Sequence, residues 1–172
     1  MILAYKHLLP ADFDNDSRVW IYQSSRLLSL REVLQAEEIL EHFVKNWKSH
    51  GAPVKGFGTL FFGQFLVLMA DERATGVSGC STDSSVRLVK ELEQLFHISL
   101  FDRQSLAFLV KDKVELLPLN QVQYAVDRGF LTGDTLYFNN LVSTKTELEE
   151  QWLIPLKDSW LQKKVQLPVV NP

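Results

Sequence analysis

Cysteine is almost absent: the 172 residues hold a single one, Cys80, which excludes an intrachain disulfide and any scaffold built on several. Proline and glycine are sparse, six and eight residues, too few for a collagen-like or low-complexity chain. Neither sign of charge prevails. With 18 Lys and Arg against 21 Asp and Glu, the formal net charge is -3, and no basic run gives nucleic acid an electrostatic reason to bind. Long apolar runs are missing too: the longest, residues 65–70, is far below the roughly 20 residues of a spanning helix. Residues 1–16 lack the basic head and sustained apolar stretch of a signal peptide. These absences predict a cytoplasmic protein with no membrane and no nucleic acid among its partners.

What the chain has in quantity is core material. It is 46% hydrophobic, with 11 Phe, 4 Trp and 4 Tyr, which excludes disorder and suits one domain of about 100–200 residues. With no repeat or linker to divide it, residues 1–172 read as a single domain, with a core over about 18–118 and a C-terminal extension over about 119–165.

Strand and helix signals alternate in a readable order. Arg18-Val19-Trp20-Ile21-Tyr22-Gln23 is β-branched and aromatic, the composition of a strand. Ser29 followed by Glu32 is a capping-box pair, in which each side chain satisfies a backbone donor at a helix start. Leu28 and Val33 sit where a hydrophobic staple packs. Leu30, Val33, Leu34, Leu40, Phe43, Val44 and Trp47 then recur at helical spacing, predicting one apolar face on a helix to about Ser49, ended by Gly51 and Pro53. Residues 55–62 and 65–71 read as strands joined at Gly63-Gln64. The second is apolar throughout 65–70, so both its faces should be covered and it belongs at a sheet centre. Residues 84–97 carry Val86, Val89, Leu92, Leu95 and Phe96 on a helical stripe, and 105–110 with 114–117 read as a hairpin about Lys111-Asp112-Lys113. The order β-α-β-β-α-β predicts an α+β fold of ferredoxin-like topology, with the C-terminal extension packed on it.

In that extension, residues 120–128 read as a short helix capped by Asn120 and stopped by Gly129, and 136–138 as a strand followed by an Asn139-Asn140 turn. Thr144 and Glu147 form a second capping pair, opening a helix that must end or kink before Pro155. Trp152 and Trp160 need burial, either on the sheet or against a second copy of the protein.

Two fragments look like pieces of ATP-binding cassette proteins. Val77-Ser78-Gly79-Cys80-Ser81 precedes a helix as the cassette signature does, and residues 66–72 resemble a Walker B strand ending in Asp71-Glu72. The match fails at the phosphate site. Residues 51–56 have P-loop glycine spacing, but Phe57-Gly58 stands where Lys-Ser/Thr would reach phosphate and magnesium, and Pro53 removes a backbone donor. The order is also reversed, since the signature precedes Walker B in that family. No ATP binding is expected.

Taken together, residues 18–23, Phe65-Leu66-Val67-Leu68, residues 78–86 and Phe138-Asn139-Asn140-Leu141-Val142 are similar to an uncharacterised bacterial family that automatic labelling calls an ABC transporter ATPase. The resemblance runs from about Arg18 to Leu161. It implies a bacterial source and brings no established activity.

The stretch Ser78, Gly79, Cys80, Ser81, Thr82, Asp83, Ser84 and Ser85 is the candidate site. Read as a loop entering a helix, it could turn backbone N–H groups toward an anion and hold Cys80 as a thiolate nucleophile. The competing reading is structural: Ser, Thr and Asp are ordinary N-cap residues, and a lone Cys is commonly a small buried hydrophobe. Burial of Cys80 is the expectation. His7, His42 and His50 stand apart from the stretch in sequence, and His97 lies about 20 Å away at 1.5 Å per residue, too far to serve as a base. One Cys and four scattered His show no metal-ligand spacing, so neither metal nor cofactor is expected. Asp71, Glu72 and Asp83 could converge as an acidic cluster, though strand ends and helix caps carry such charges routinely. The resulting expectation is a non-enzymatic domain that binds a protein partner or itself. The alternative is a small enzyme or anion-binding protein using residues 78–85.

Overall fold

The computed structural model describes residues 4–169. After a 3-10 turn at Ala4–Leu8, strand β1 (Arg18–Gln23) leads to helix α1 (Leu30–Asn46). A small arm, β2 (Lys48–Ser49) and β3 (Ala52–Pro53), precedes the hairpin of β4 (Lys55–Phe61) and β5 (Phe65–Asp71). Helix α2 (Gly79–Phe96) is followed by a second hairpin, β6 (Ser105–Val110) and β7 (Lys113–Pro118). The chain then runs through α3 (Val122–Asp127), β8 (Leu136–Phe138), α4 (Lys145–Gln151) and β9 (Leu153–Pro155), ending in 3-10 turns.

These strands form an α+β architecture of three antiparallel sheets among the described residues, ordered β1-β5-β4, β2-β3 and β7-β6-β8-β9. Strand β5 is central in the first, as its unbroken apolar run predicts. Phe65, Val67 and Met69 face one core, and Leu66 and Leu68 face the other. Both helices cover the second face: Ala36 and Leu40 of α1 and Leu88, Val89 and Leu92 of α2 meet there. The opposite face packs on the four-stranded sheet and the extension through Ala107, Phe138, Leu148 and Trp152. Beyond it, Phe108, Val126, Tyr137, Leu156 and Leu161 close a third core under α3 and the tail.

Strand β6 departs from the ferredoxin-like expectation, which would return it to the first sheet. It pairs instead with β7 and β8. The outer edge of β1, where a fourth ferredoxin strand would add, is occupied locally: the Val19 amide donates to the Ser143 carbonyl at 2.9 Å, and Arg18 bridges to Thr144.

The caps account for the helix starts. Ser29 and Glu32 form the expected reciprocal box. Thr144 Oγ1 accepts from the Glu147 amide, but the Glu147 carboxylate reaches one residue further back, to the Ser143 amide at 2.7 Å. The apolar stripe of α1 is wider than the face it buries. Leu30 and Leu34, expected inside, are 75% and 62% exposed, because the helix docks through Ala36 and Leu40 instead.

Candidate functional site

Residues 78–85 are not a loop. Ser78 is the N-cap of α2, its side chain accepting from the Ser81 amide while the Ser81 hydroxyl takes the Ser78 amide at 2.8 Å. The helix therefore begins at Gly79, five residues before the expected start, because serine supplies both halves of the box. Its hydroxyls turn inward on the helix: those of Ser81 and Thr82 donate to the Ser78 carbonyl, Ser84 to Ser81 and Ser85 to Thr82. Ser81 and Ser85 are buried, whereas Gly79 and Asp83 are exposed.

Cys80 is exposed, against expectation. Helix phase explains it. Packing of α2 through Ser81, Ser85, Leu88, Val89 and Leu92 leaves Cys80, Ser84, Arg87 and Glu91 on one outward row. That row forms one wall of an open groove of about 450 Å³, and His42, Phe43, Asn46 and Trp47 from the end of α1 form the other. His42 thus faces the groove that Cys80 faces, but among the described residues neither side chain donates or accepts a hydrogen bond. His97 is the C-cap at the far end of α2, and His50 lies in the turn of the small arm. The two helices are tied at this point by Trp47, whose indole N–H donates to the Ser81 carbonyl at 3.0 Å.

The acidic residues do not converge. Asp71 is buried at the end of the central strand, with both oxygens on Arg73 Nε at 3.0 Å and a further bond from the Asp14 amide at 3.1 Å. The guanidinium of Arg73 holds its carboxyl well below the usual range. Lys55 Nζ, 3.7 Å from Asp71 and 2.9 Å from Asp12, completes an ionic cluster. Glu72 turns back to the Val77 amide, and Asp83 stays in solvent. Residues 51–56 run through the small arm into β4, with the Val54 amide donating to the Trp47 carbonyl at 3.0 Å and no helix N-terminus following them. No His/Cys/Asp/Glu cluster able to hold a metal is present among the described residues, and no described helix is long and apolar enough to cross a membrane.

Two features escape the sequence reading. One is a polar relay between the sheets: Trp152 Nε1 donates to Asn140 Oδ1 at 3.0 Å, Asn140 Nδ2 to Gln23 Oε1 at 3.0 Å, and Gln23 Nε2 to the Ser105 carbonyl at 2.9 Å. It borders a cleft of about 90 Å³ that Tyr22, Phe101, Arg103 and Tyr137 also line. Burial pushes the phenols of Tyr22 and Tyr137 up. The other is an apolar groove of about 500 Å³ where the two hairpin turns meet, lined by Leu27, Phe62, Leu109, Val114 and Phe138 and rimmed by Asp112, Lys113 and Glu115. Leu27 is 64% exposed, and Leu30 and Leu34 of α1 are exposed as well. The signal available in the sequence was a surplus: more leucines at 27–34 than one buried helix face can take.

These features define an α+β protein with open grooves on its surface. Comparison with family models, curated proteins and solved structures yields no match for the chain.

Proposed function

We propose that this chain is a non-enzymatic interaction domain that binds a protein partner or a second copy of itself through the apolar surface at the start of α1. The observation that carries this reading is the apolar groove of about 500 Å³, one wall of which is Leu27, 64% exposed, with Leu30 75% exposed three residues further on. Exposed apolar surface with a polar rim is what association sites present to their partners. The aromatic tail is not needed for this role, since Trp152 is fully buried within the chain. In the same reading the chain belongs with the bacterial family it resembles, acts without ATP, and keeps a ferredoxin-like half in β1, α1, β4, β5 and α2.

Sedimentation velocity over a concentration series, with wild type and Leu27→Glu/Leu30→Glu, tests the proposal. Dimerisation that the variant abolishes supports self-association. A monomer that photo-crosslinks to another protein from position 30 supports a separate partner. A monomer that crosslinks to nothing in its native extract overturns the reading.

A second reading is favoured by one observation, the exposure of Cys80 on the groove that His42 shares. In it, the thiol does nucleophilic chemistry assisted by the imidazole. Its mark is alkylation of native Cys80 that slows at least about tenfold in His42→Ala, a coupling typical of general-base assistance. Equal rates in the two proteins remove this reading.

A further inference from the structure

The first sheet ends in β4, and the way that edge is managed points to an occupant. Alternation of backbone direction along an antiparallel strand sends the N–H and C=O of every second residue away from the neighbouring strand. The Leu60 amide points outward, donating to Glu37 Oε1 at 2.6 Å, and the Thr59 hydroxyl donates to the same oxygen at 2.8 Å. Gly58 and Gly56 share the outward phase of Leu60. Both are half-buried, and no bond from outside the sheet reaches either amide among the described residues. Glu37 therefore closes one end of the edge and leaves the other open.

Glycine at these positions lets α1 lie close over the edge. A Cβ on Gly56 would sit 2.7 Å from the Trp47 ring, and one on Gly58 would sit 3.1 Å from Leu68 Cδ2 and 3.4 Å from Val44 Cγ1. The result is a groove of about 500 Å³ between α1 and β4. Its floor is Gly56, Phe57 and Gly58, and its charged lining is Glu37, Glu38 and Glu41, with no cation among the lining residues. Lys45 neutralises Glu41 from the next turn at 2.8 Å, while Glu38 has no ionic partner among the described residues.

We propose that the open edge of β4 receives an extended basic segment of another polypeptide as an added strand. Its backbone pairs with Gly56 and Gly58, and its Lys or Arg side chains lie under α1, with their alkyl stems on Leu34 and their charges at Glu38 and Glu41. A second copy of the chain fits less well, because pairing two β4 edges would set both carboxylate rows against each other. The proposal rests on the reading of the chain as an interaction domain and names a surface and a partner chemistry for it.

The test uses the full chain and a capped, fluorescent seven-residue peptide alternating lysine and valine, with a glutamate-valine peptide as control. The expected result is salt-sensitive micromolar binding of the lysine peptide alone, with slowed amide exchange at Gly56 and Gly58. Glu38→Lys/Glu41→Lys, both exposed positions, should weaken it at least about tenfold, as loss and reversal of two surface ion pairs would. Leu27→Glu/Leu30→Glu, which disrupts the apolar surface without touching the groove under α1, should still bind the peptide, so failure of the edge and failure of the apolar surface are told apart. Absence of binding, equal binding of the glutamate peptide, or protection falling on β7 instead of β4 overturns the proposal. So does concentration-dependent protection of Gly56 and Gly58 without peptide, which would make the occupant a second copy.

Discussion

Single glycines in this chain answer to different neighbours, and substitution separates them. Gly56 lies under the Trp47 ring with no space for a methyl group, whereas nothing lies within 4 Å of a Cβ on Gly79. Gly56→Ala should cost about 1–3 kcal/mol by overpacking, while Gly79→Ala, at a helical position, should be neutral or add about 0.4–1 kcal/mol. Urea titration of both variants checks the contrast, and a destabilised Gly79→Ala would mean that the start of α2 needs open backbone after all. Charged residues make a second prediction. Arg26, with the Ser29 amide, brings the Glu32 pKa from 4.5 down to about 2, and Arg73 lowers that of Asp71. Both carboxylates hold protons less tightly folded than unfolded, so their stabilisation is complete above the unfolded values and fades as pH falls through the folded ones. Melting temperature should drop between about pH 4.5 and pH 2, and Asp71→Asn should flatten that slope while costing about 1–3 kcal/mol at neutral pH. An unchanged slope in Asp71→Asn would show that other groups govern acid stability.

Between elements, the relay Trp152–Asn140–Gln23 joins α4's end, the turn after β8 and the last residue of β1. Asn140 and Gln23 are 117 residues apart in the chain. Asn140 sits at the middle, accepting from one side and donating to the other, so Asn140→Ala leaves the Trp152 N–H and the Gln23 carbonyl both without a partner. Leaving such groups unpaired costs about 1–3 kcal/mol each where water cannot replace the bond. The cleft beside Asn140 admits some water, so a total near 2 kcal/mol is expected. The same variant should raise indole exchange at Trp152 by NMR. A loss of stability without faster indole exchange would place the defect in the turn itself. Residues 139–140 read as a turn from sequence, but nothing local announced that Asn140 would bridge two sheets, since both its partners come from other elements.

Across the whole molecule, the extension is a wall of the core. Trp152, Leu148, Leu156 and Leu161 are each fully buried. The Trp152 ring lies 4.9 Å from Tyr5, 5.3 Å from Phe65 and 5.4 Å from Phe138 between centroids. Burial raises the Tyr5 pKa to about 12, and its hydroxyl donates to the Leu148 carbonyl at 2.7 Å. Deletion from residue 149 onward removes Trp152, β9 and the cover of the third core together. Loss of one large buried aromatic alone costs about 3–5 kcal/mol, against about 5–15 kcal/mol for a typical domain. The shortened chain should therefore aggregate or lose its cooperative transition in calorimetry. A soluble truncation melting near the full-length temperature would make the extension an accessory.

Sequence alone determined whatever depends on neighbours a few residues away. The Ser29 and Glu32 box, the strands at 18–23 and 65–71, and the hairpins about residues 63 and 111 follow from caps, turns and periodicity. The central place of β5 was readable because an apolar run with no polar face has to be covered on both sides. The start of α2 was obscured because Ser81 replaces the usual Glu or Gln of the box. Only the tertiary structure decided which leucines of α1 stay in solvent, which sheet takes β6, and that Cys80 faces outward. Periodicity marks an apolar stripe, but how much of it is buried depends on the surface that docks there, and strand pairing joins residues far apart in the chain. Those choices are made by competition among distant partners, here by Ala36 and Leu40 on the first sheet and by residues 143–144 at the edge of β1.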